Sequence, residues 1–262
     1  MEYIIICIAA LLASSLTMFS GFGLGTLLLP IFAIFMPIEL AVAATAVVHG
    51  ANSMIKAIML GKSAEIRVVL IFGLPAIVFA VFGAWLLGQL SGQTALFTYE
   101  IFGRTASITP LKLLMGVLMI AFAVIELHPR FVSMKFDRRY LPLGGILSGF
   151  FGGLSGHQGA LRSAFLAKVG ISTEGFVGTN AIIGLLVDLS RLSMYATLLT
   201  GGVLSTQSGT VSMIGAGIAA AFVGVILGNY VLKKKKITMR LIQQITGIML
   251  FVIALLLGFG IL

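Results

Sequence analysis

The chain has 262 residues, 59% hydrophobic and 10% charged, where ordinary globular proteins carry about 25% charge. So few charges cannot cover a water-facing surface, so the solvent of this chain is largely lipid and a soluble domain is excluded. Its 17 Lys and Arg outnumber 8 Asp and Glu, but they lie in short clusters between apolar stretches instead of in one patch, which favours membrane topology over nucleic-acid binding.

Tyr3 to Phe19 comes first, with no Lys or Arg before Lys56. It lacks the basic start of a signal peptide and is expected to be a retained membrane segment. Cys7 is the only cysteine, which excludes an intramolecular disulfide and a cysteine-built metal site. The apolar region 3–37 is broken at Ser20-Gly21-Phe22-Gly23-Leu24-Gly25, leaving a short piece at about 24–36. Long segments follow at about 40–60, 67–90 and 110–127, near the 20 residues that a span needs. A basic linker occupies 128–140. A second broken region, 141–170, is interrupted at Gly152-Gly153-Leu154-Ser155-Gly156-His157-Gln158-Gly159, and long segments at about 175–200, 208–232 and 241–262 complete the chain.

The basic clusters decide how the broken regions are counted. Lys62 and Arg67, then Arg130, Lys135, Arg138 and Arg139, then Lys233–Lys236 with Arg240, share one side only if each broken region is a hairpin. Eleven basic residues then face one side, against Arg104 and Lys112 on the other. Positive loops stay cytoplasmic, so both termini are expected outside the cytoplasm of a cell whose cytoplasmic (inner) membrane holds the protein. A full crossing and a re-entrant hairpin give the same sidedness.

Sliding the chain by 135 residues superposes the two breaks: Ser20-Gly21 on Ser155-Gly156, Glu39 on Glu174, Thr45 on Asn180, and Lys56 on Arg191. The expected fold is therefore an all-α polytopic membrane protein of two inverted-topology repeats, 1–127 and 141–262. Each repeat is a glycine-rich helical hairpin plus three long transmembrane helices. Inverted repeats with interrupted helices are an architecture of secondary transporters, with the site near the midplane.

Ionisable groups in lipid cost about 2.5–3.5 kcal/mol each on insertion scales, which makes them functional candidates. Thr45, His49, Asn52 and Lys56 fall on one face of the segment 40–60. Asn180, Gly184, Asp188 and Arg191 fall on a corresponding face of the segment 175–200. Asp188 and Arg191 suit either a structural i, i+3 ion pair or a functional one, and His49 suits either helix packing or proton transfer. Lys56, near a helix end, is expected to snorkel. At the tips, Gly21, Gly23 and Gly156 let two short helices meet, and helices starting near Leu24 and Ala160 aim their N-terminal dipole ends inward, which favours an anion. His157, Gln158 and Arg162 join the second tip, and a guanidinium binds oxyanions in bidentate fashion. The isolated histidines have no metal-ligand spacing. Neither a metal, a cofactor nor a nucleophile–base arrangement is expected, so no enzyme is either.

At these tips the chain resembles the TauE/SafE family of sulfite and organosulfonate exporters, over nearly its whole length. The resemblance rests on Ser20-Gly21-Phe22-Gly23-Leu24-Gly25 with Pro30 and Ala43-Ala44-Thr45. In the second half it rests on Ser155-Gly156-His157-Gln158-Gly159-Ala160-Leu161-Arg162-Ser163 and Gly178-Thr179-Asn180. The second copy departs from the family's run of glycines and later proline: it has His157, Gln158 and Arg162, with Phe165 matching Pro30. The resemblance implies export of sulfite or a small sulfonate, driven by the proton gradient. The tip N–H groups with Ser20, Ser155, Gln158 and Arg162 would then hold the substrate oxygens. Thr45 and Asn52 would complete the polar wall, and His49 or Asp188 would carry the proton. The expected partners are this small anion, protons and membrane lipid, with no oligomeric state implied. A passive anion channel and a membrane protein that binds a partner helix are the alternatives. They predict uncoupled flux and no flux, respectively.

Overall fold

In lipid each backbone N–H and C=O must be satisfied within the protein, so uninterrupted apolar stretches become helices. The computed structural model describes residues 1–18, 24–101, 103–128, 130, 134–200, 209–231 and 239–262, with backbone alone at 104, 197–200, 231 and 239–242. The first half contains α1 (Glu2–Leu16), α2 (Leu24–Phe35), α3 (Ile38–Leu60), α4 (Ile66–Leu90) and α5 (Pro110–Leu127). The second contains α6 (Leu141–Ser155), α7 (Gly159–Leu166), α8 (Thr173–Thr200), α9 (Thr210–Val231) and α10 (Met239–Gly258). Among the described residues, α3, α4, α5, α8 and α9 are long and apolar enough to cross a bilayer, while α1 and α2 are shorter apolar helices. This is a multi-pass membrane protein. Leu70, Leu74, Val78, Phe82 and Trp85 leave a broad apolar face of α4 uncovered, as a lipid-facing helix requires.

The helices pair through small residues. A Cβ at Gly145, Gly149 or Gly153 of α6 would overlap the carbonyl oxygens of Phe72, Ala76 or Ala80 of α4. Such close approach drives helix association in lipid, where no hydrophobic force separates helix from solvent. The offset between partners is constant, so α4 and α6 run parallel. α1 and α9 are also parallel: Tyr3 bonds Ser212 at 2.7 Å, Cys7 bonds the Ala216 carbonyl at 3.8 Å, and Ser15 bonds the Gly224 carbonyl at 2.8 Å. α3 and α8 are antiparallel, with Gly50 against Asp188 and Gly178 against Leu60. So are α5 and α10, with Gly116 against Gly258 and Gly247 against Leu127. Buried residues make up 72% of the apolar stretch of α3 and 61% of that of α8, against 33% in α9, so α3 and α8 form the central pair.

The fold is mostly helical, with one short addition to the helices. Between α4 and α5 the chain forms an antiparallel hairpin, β1 (Phe97–Ile101) and β2 (Arg104–Ile108), pairing Phe97 with Ile108 and Ile101 with Arg104. Gly103, at φ 71°, supplies the left-handed turn residue. The hairpin is fastened to the turn after α10. Ser107 N–H donates to the Gly260 carbonyl at 3.0 Å, and the Tyr99 hydroxyl donates to the Phe259 carbonyl at 2.6 Å.

Candidate functional site

The site is built where α3 and α8 cross beside the second glycine-rich tip. Two glycines allow the approach: a Cβ at Gly50 would stand 3.3 Å from the Asp188 Cβ, and one at Gly184 would stand 3.1 Å from both Ser53 Oγ and Arg162 Nη1. Helical spacing then presents His49, Asn52, Ser53 and Lys56 from α3 toward Asn180, Asp188 and Arg191 from α8. All seven are buried.

Asp188 is the hub. Its Oδ2 accepts from His49 Nδ1 at 2.5 Å. Its Oδ1 accepts from Arg191 Nη2 at 2.7 Å, Arg191 Nε at 3.0 Å and Gln158 Nε2 at 3.0 Å. Asp188 and Arg191 are both 0% exposed. The i, i+3 ion pair is therefore present, and His49 is drawn into it from a helix 139 residues away. Gln158 bridges two charges: its Oε1 accepts from Arg162 Nη1 at 3.0 Å, and Arg162 Nε donates to Asn180 Oδ1.

The second tip is held from both sides. A helix leaves its last carbonyls without intrahelical donors. At the end of α6, Arg191 Nη1 donates to the Gly152 carbonyl at 2.7 Å, and the Tyr195 hydroxyl donates to the Gly153 carbonyl. The positive guanidinium also complements the C-terminal end of the helix dipole. Gly156 closes α6 at φ 79°, a left-handed cap that glycine adopts without strain. Ser148 Oγ donates to the Gln158 carbonyl at 3.1 Å, which anchors the start of α7. The two tips touch: a Cβ at Gly25 would lie 2.8 Å from the Gly156 carbonyl and 3.7 Å from Thr45 Cγ2.

Lys56 does not snorkel. It is 8% exposed, and its ammonium donates to the Thr17 carbonyl at 3.1 Å, at the end of α1. The snorkelling expectation fails because α1 and α8 cover the route outward. The bond to Thr17 is the counterpart of the Arg191 bond to Gly152, with donor and acceptor each displaced by 135 residues.

A cavity of about 20 Å³, space for about one water, lies between α3, α7 and α8. His49, Asn52, Lys56, Arg162 and Asn180 are among its walls. A four-atom oxyanion requires it to widen. Among the described residues neither Arg162 nor Lys56, which line this cavity, has a carboxylate within 4 Å. Two guanidiniums, Arg162 and Arg191, thus stand by one carboxylate, and the buried amine of Lys56 faces the same cavity. The Asn52 Oδ1 and Thr45 Oγ1 atoms are buried without a partner.

Not every residue singled out in the sequence turns toward this cavity. Asp188, Gln158 and Arg191 stand behind it as a bonded layer. Ser155 Oγ donates to the Phe151 carbonyl at 3.0 Å and accepts from His157 Nδ1 at 3.0 Å. His157 stacks on Phe122 at 4.6 Å, on the α5 side, and its Nε2 is buried without a partner. Ser20, Gly21 and Gly23, like Lys233–Lys236, lie outside the described residues. Sequence reasoning missed Ser53, Tyr195 and the Thr17 carbonyl. Ser53 was legible four residues after His49 on the same helical face, whereas Thr17 and Tyr195 act through contacts that no local spacing encodes.

A family model described as sulfite exporter TauE/SafE matches residues 6–257. Comparison with curated proteins gives no match.

Proposed function

The chain belongs to the TauE/SafE family of sulfite exporters, and from that premise we propose that it is a proton-coupled secondary transporter exporting sulfite or a small organosulfonate across the cytoplasmic membrane. The observation that carries the anion reading is the charge balance at the centre: Arg162 and Lys56 line a buried cavity without a carboxylate of their own. The Arg162 guanidinium keeps its charge when buried and calls for an anionic partner; a substrate oxyanion meets that need and would also hold Lys56 in its charged form. Arg162 and Lys56 grip the oxygens, with Asn52 and Asn180 in the same wall and Gln158 steadying Arg162 from behind. His49 and Asp188, sharing one short bond, carry the coupled proton. Histidine suits that work because its ordinary titration lies near neutrality.

Alternating access follows from two inverted repeats, 1–127 and 141–262, rocking about the crossing of α3 and α8. The packing supports this. A two-fold axis in the membrane plane would pair α3 with α8 and α5 with α10 antiparallel and make α1–α9 and α4–α6 equivalent parallel pairs, which is the packing seen. The matching Lys56–Thr17 and Arg191–Gly152 bonds obey the same operation. The helix directions also favour one common side for Lys62, Arg67, Arg138 and Arg139, because α6 runs parallel to α4. That side is the cytoplasm by the positive-inside rule, and both termini then lie outside it.

The test is uptake of labelled sulfite and a sulfonate panel into proteoliposomes, with and without an imposed pH gradient. Saturable, gradient-stimulated flux that is lost in Arg162→Ala and reduced in Arg162→Lys is expected. Wild-type rates in both variants would refute the site.

A further inference from the structure

A second buried carboxyl stands apart from the Asp188 network. Glu126, one residue from the end of α5, is 3% exposed, and its Oε1 has no hydrogen-bond partner. A hydrogen bond ties its carboxyl to the side chain of Thr26, in the first turn of α2. Among the described residues no cation pairs with it.

The elements packed on α5 explain why. From α10 come Gln243 and Thr246, both buried, with Gln243 Nε2 also unpartnered. Arg240 opens α10 three residues before Gln243, and its side chain lies outside the described residues. α4 contributes no charge after Arg67. The second tip contributes His157, stacked on Phe122, which stands one turn before Glu126. Lys112 is at the far end of α5, bonded to Ser107, and His128 and Arg130 are exposed beyond the near end. Among the described residues this carboxyl has no cation beside it, and a buried carboxyl so placed neutralises.

We propose that Glu126 is a second proton-binding site, holding its proton as the neutral acid in this conformation and releasing it to water when α2 draws away from α5. In that step the carboxyl O–H bond breaks, a water oxygen takes the proton, and the carboxylate left behind faces solvent. Thr26 makes this a lever on the first hairpin. It follows Gly25, which sits against the Gly156 carbonyl where the two tips touch. Because the Thr26 hydroxyl can donate to the carboxylate as well as to the acid, it is the carboxylate's need for water that favours the separated tips, and binding of a proton favours their return. The coupling half of this inference rests on the transporter reading above; the protonation half does not.

Two measurements on the full chain test it. Infrared spectra of wild type and Glu126→Gln at neutral pH are compared for the carbonyl stretch of a protonated carboxylic acid, and wild type is treated with a hydrophobic carbodiimide, which modifies protonated carboxyls in apolar surroundings. A band present only in wild type, with the adduct mapped to Glu126, is expected. Identical spectra with Glu126 unmodified would overturn the assignment. In proteoliposomes, the ratio of anion flux with and without a pH gradient is expected to fall to about 1 in Glu126→Gln while flux persists. An undiminished ratio would overturn the coupling role and leave the transporter reading standing. Absence of flux in wild type would sink the transporter reading and with it the coupling role, while the infrared band and the adduct still decide protonation.

Discussion

Replacing Asp188 by Asn removes one charge and almost no volume, so its effect isolates the electrostatic share of the central network. Asp188 accepts from Arg191 twice, from Gln158 and from His49, and both it and Arg191 are 0% exposed. Breaking such a buried pair from one side leaves the guanidinium uncompensated, at a cost of about 3–5 kcal/mol. At about 2–4 °C per kcal/mol for chains of this size, the melting point falls by about 6–20 °C. Thermal unfolding in detergent, followed by size-exclusion recovery, measures it. The double variant Asp188→Leu/Arg191→Met removes both charges and loses mainly hydrogen bonds to Gln158, His49 and Gly152, at about 1–3 kcal/mol. It should therefore unfold above the single variant. A shift under about 2 °C for Asp188→Asn would put the pair among exposed ion pairs, worth about 0–1 kcal/mol, and the argument from burial would be wrong.

Other expectations follow from the packing and the charges. Gly149→Val, whose new side chain meets the Ala76 carbonyl, should abolish monodisperse protein on size exclusion, whereas Gly215→Ala, with nothing within 4 Å, should be neutral or stabilise by up to about 1 kcal/mol. Lys56→Met should raise the KM for the exported anion about tenfold, roughly 1.4 kcal/mol of binding; an unchanged KM would remove Lys56 from the site. Tyr99→Phe loses one exposed hydrogen bond to the Phe259 carbonyl and should cost at most about 1 kcal/mol in thermal unfolding, with flux unaltered.

The sequence made the long helices legible because lipid demands long apolar runs, and it marked both breaks because glycine clusters there interrupt those runs. The faces of α3 and α8 were legible from spacing alone, down to the Asp188–Arg191 pair. The β-hairpin was not. Phe97-Thr98-Tyr99-Glu100-Ile101 alternates only briefly, and its pairing is secured by the distant turn at Phe259 and Gly260. Lys56 was misjudged for a related reason. Its depth along α3 suggested an escape to the surface, but the Thr17 carbonyl that receives it comes from α1, 39 residues earlier. The union of His49 with Asp188 likewise needed the fold.

The parallel seams have a consequence for how the protein is made. α1 leaves the ribosome well before the surface it fits, from Ser212 to Gly228, which belongs to α9 and emerges 209 residues later. Until then α1 must wait in the bilayer with Ser14 and Ser15 uncovered, and the hairpin it supports cannot be secured before α9 arrives. Contacts so remote in sequence form late and leave earlier states open to wrong partners. α6 has no such delay, because α4 is already in place when it is made. The second hairpin is thus expected to set first, and the first hairpin to close the assembly.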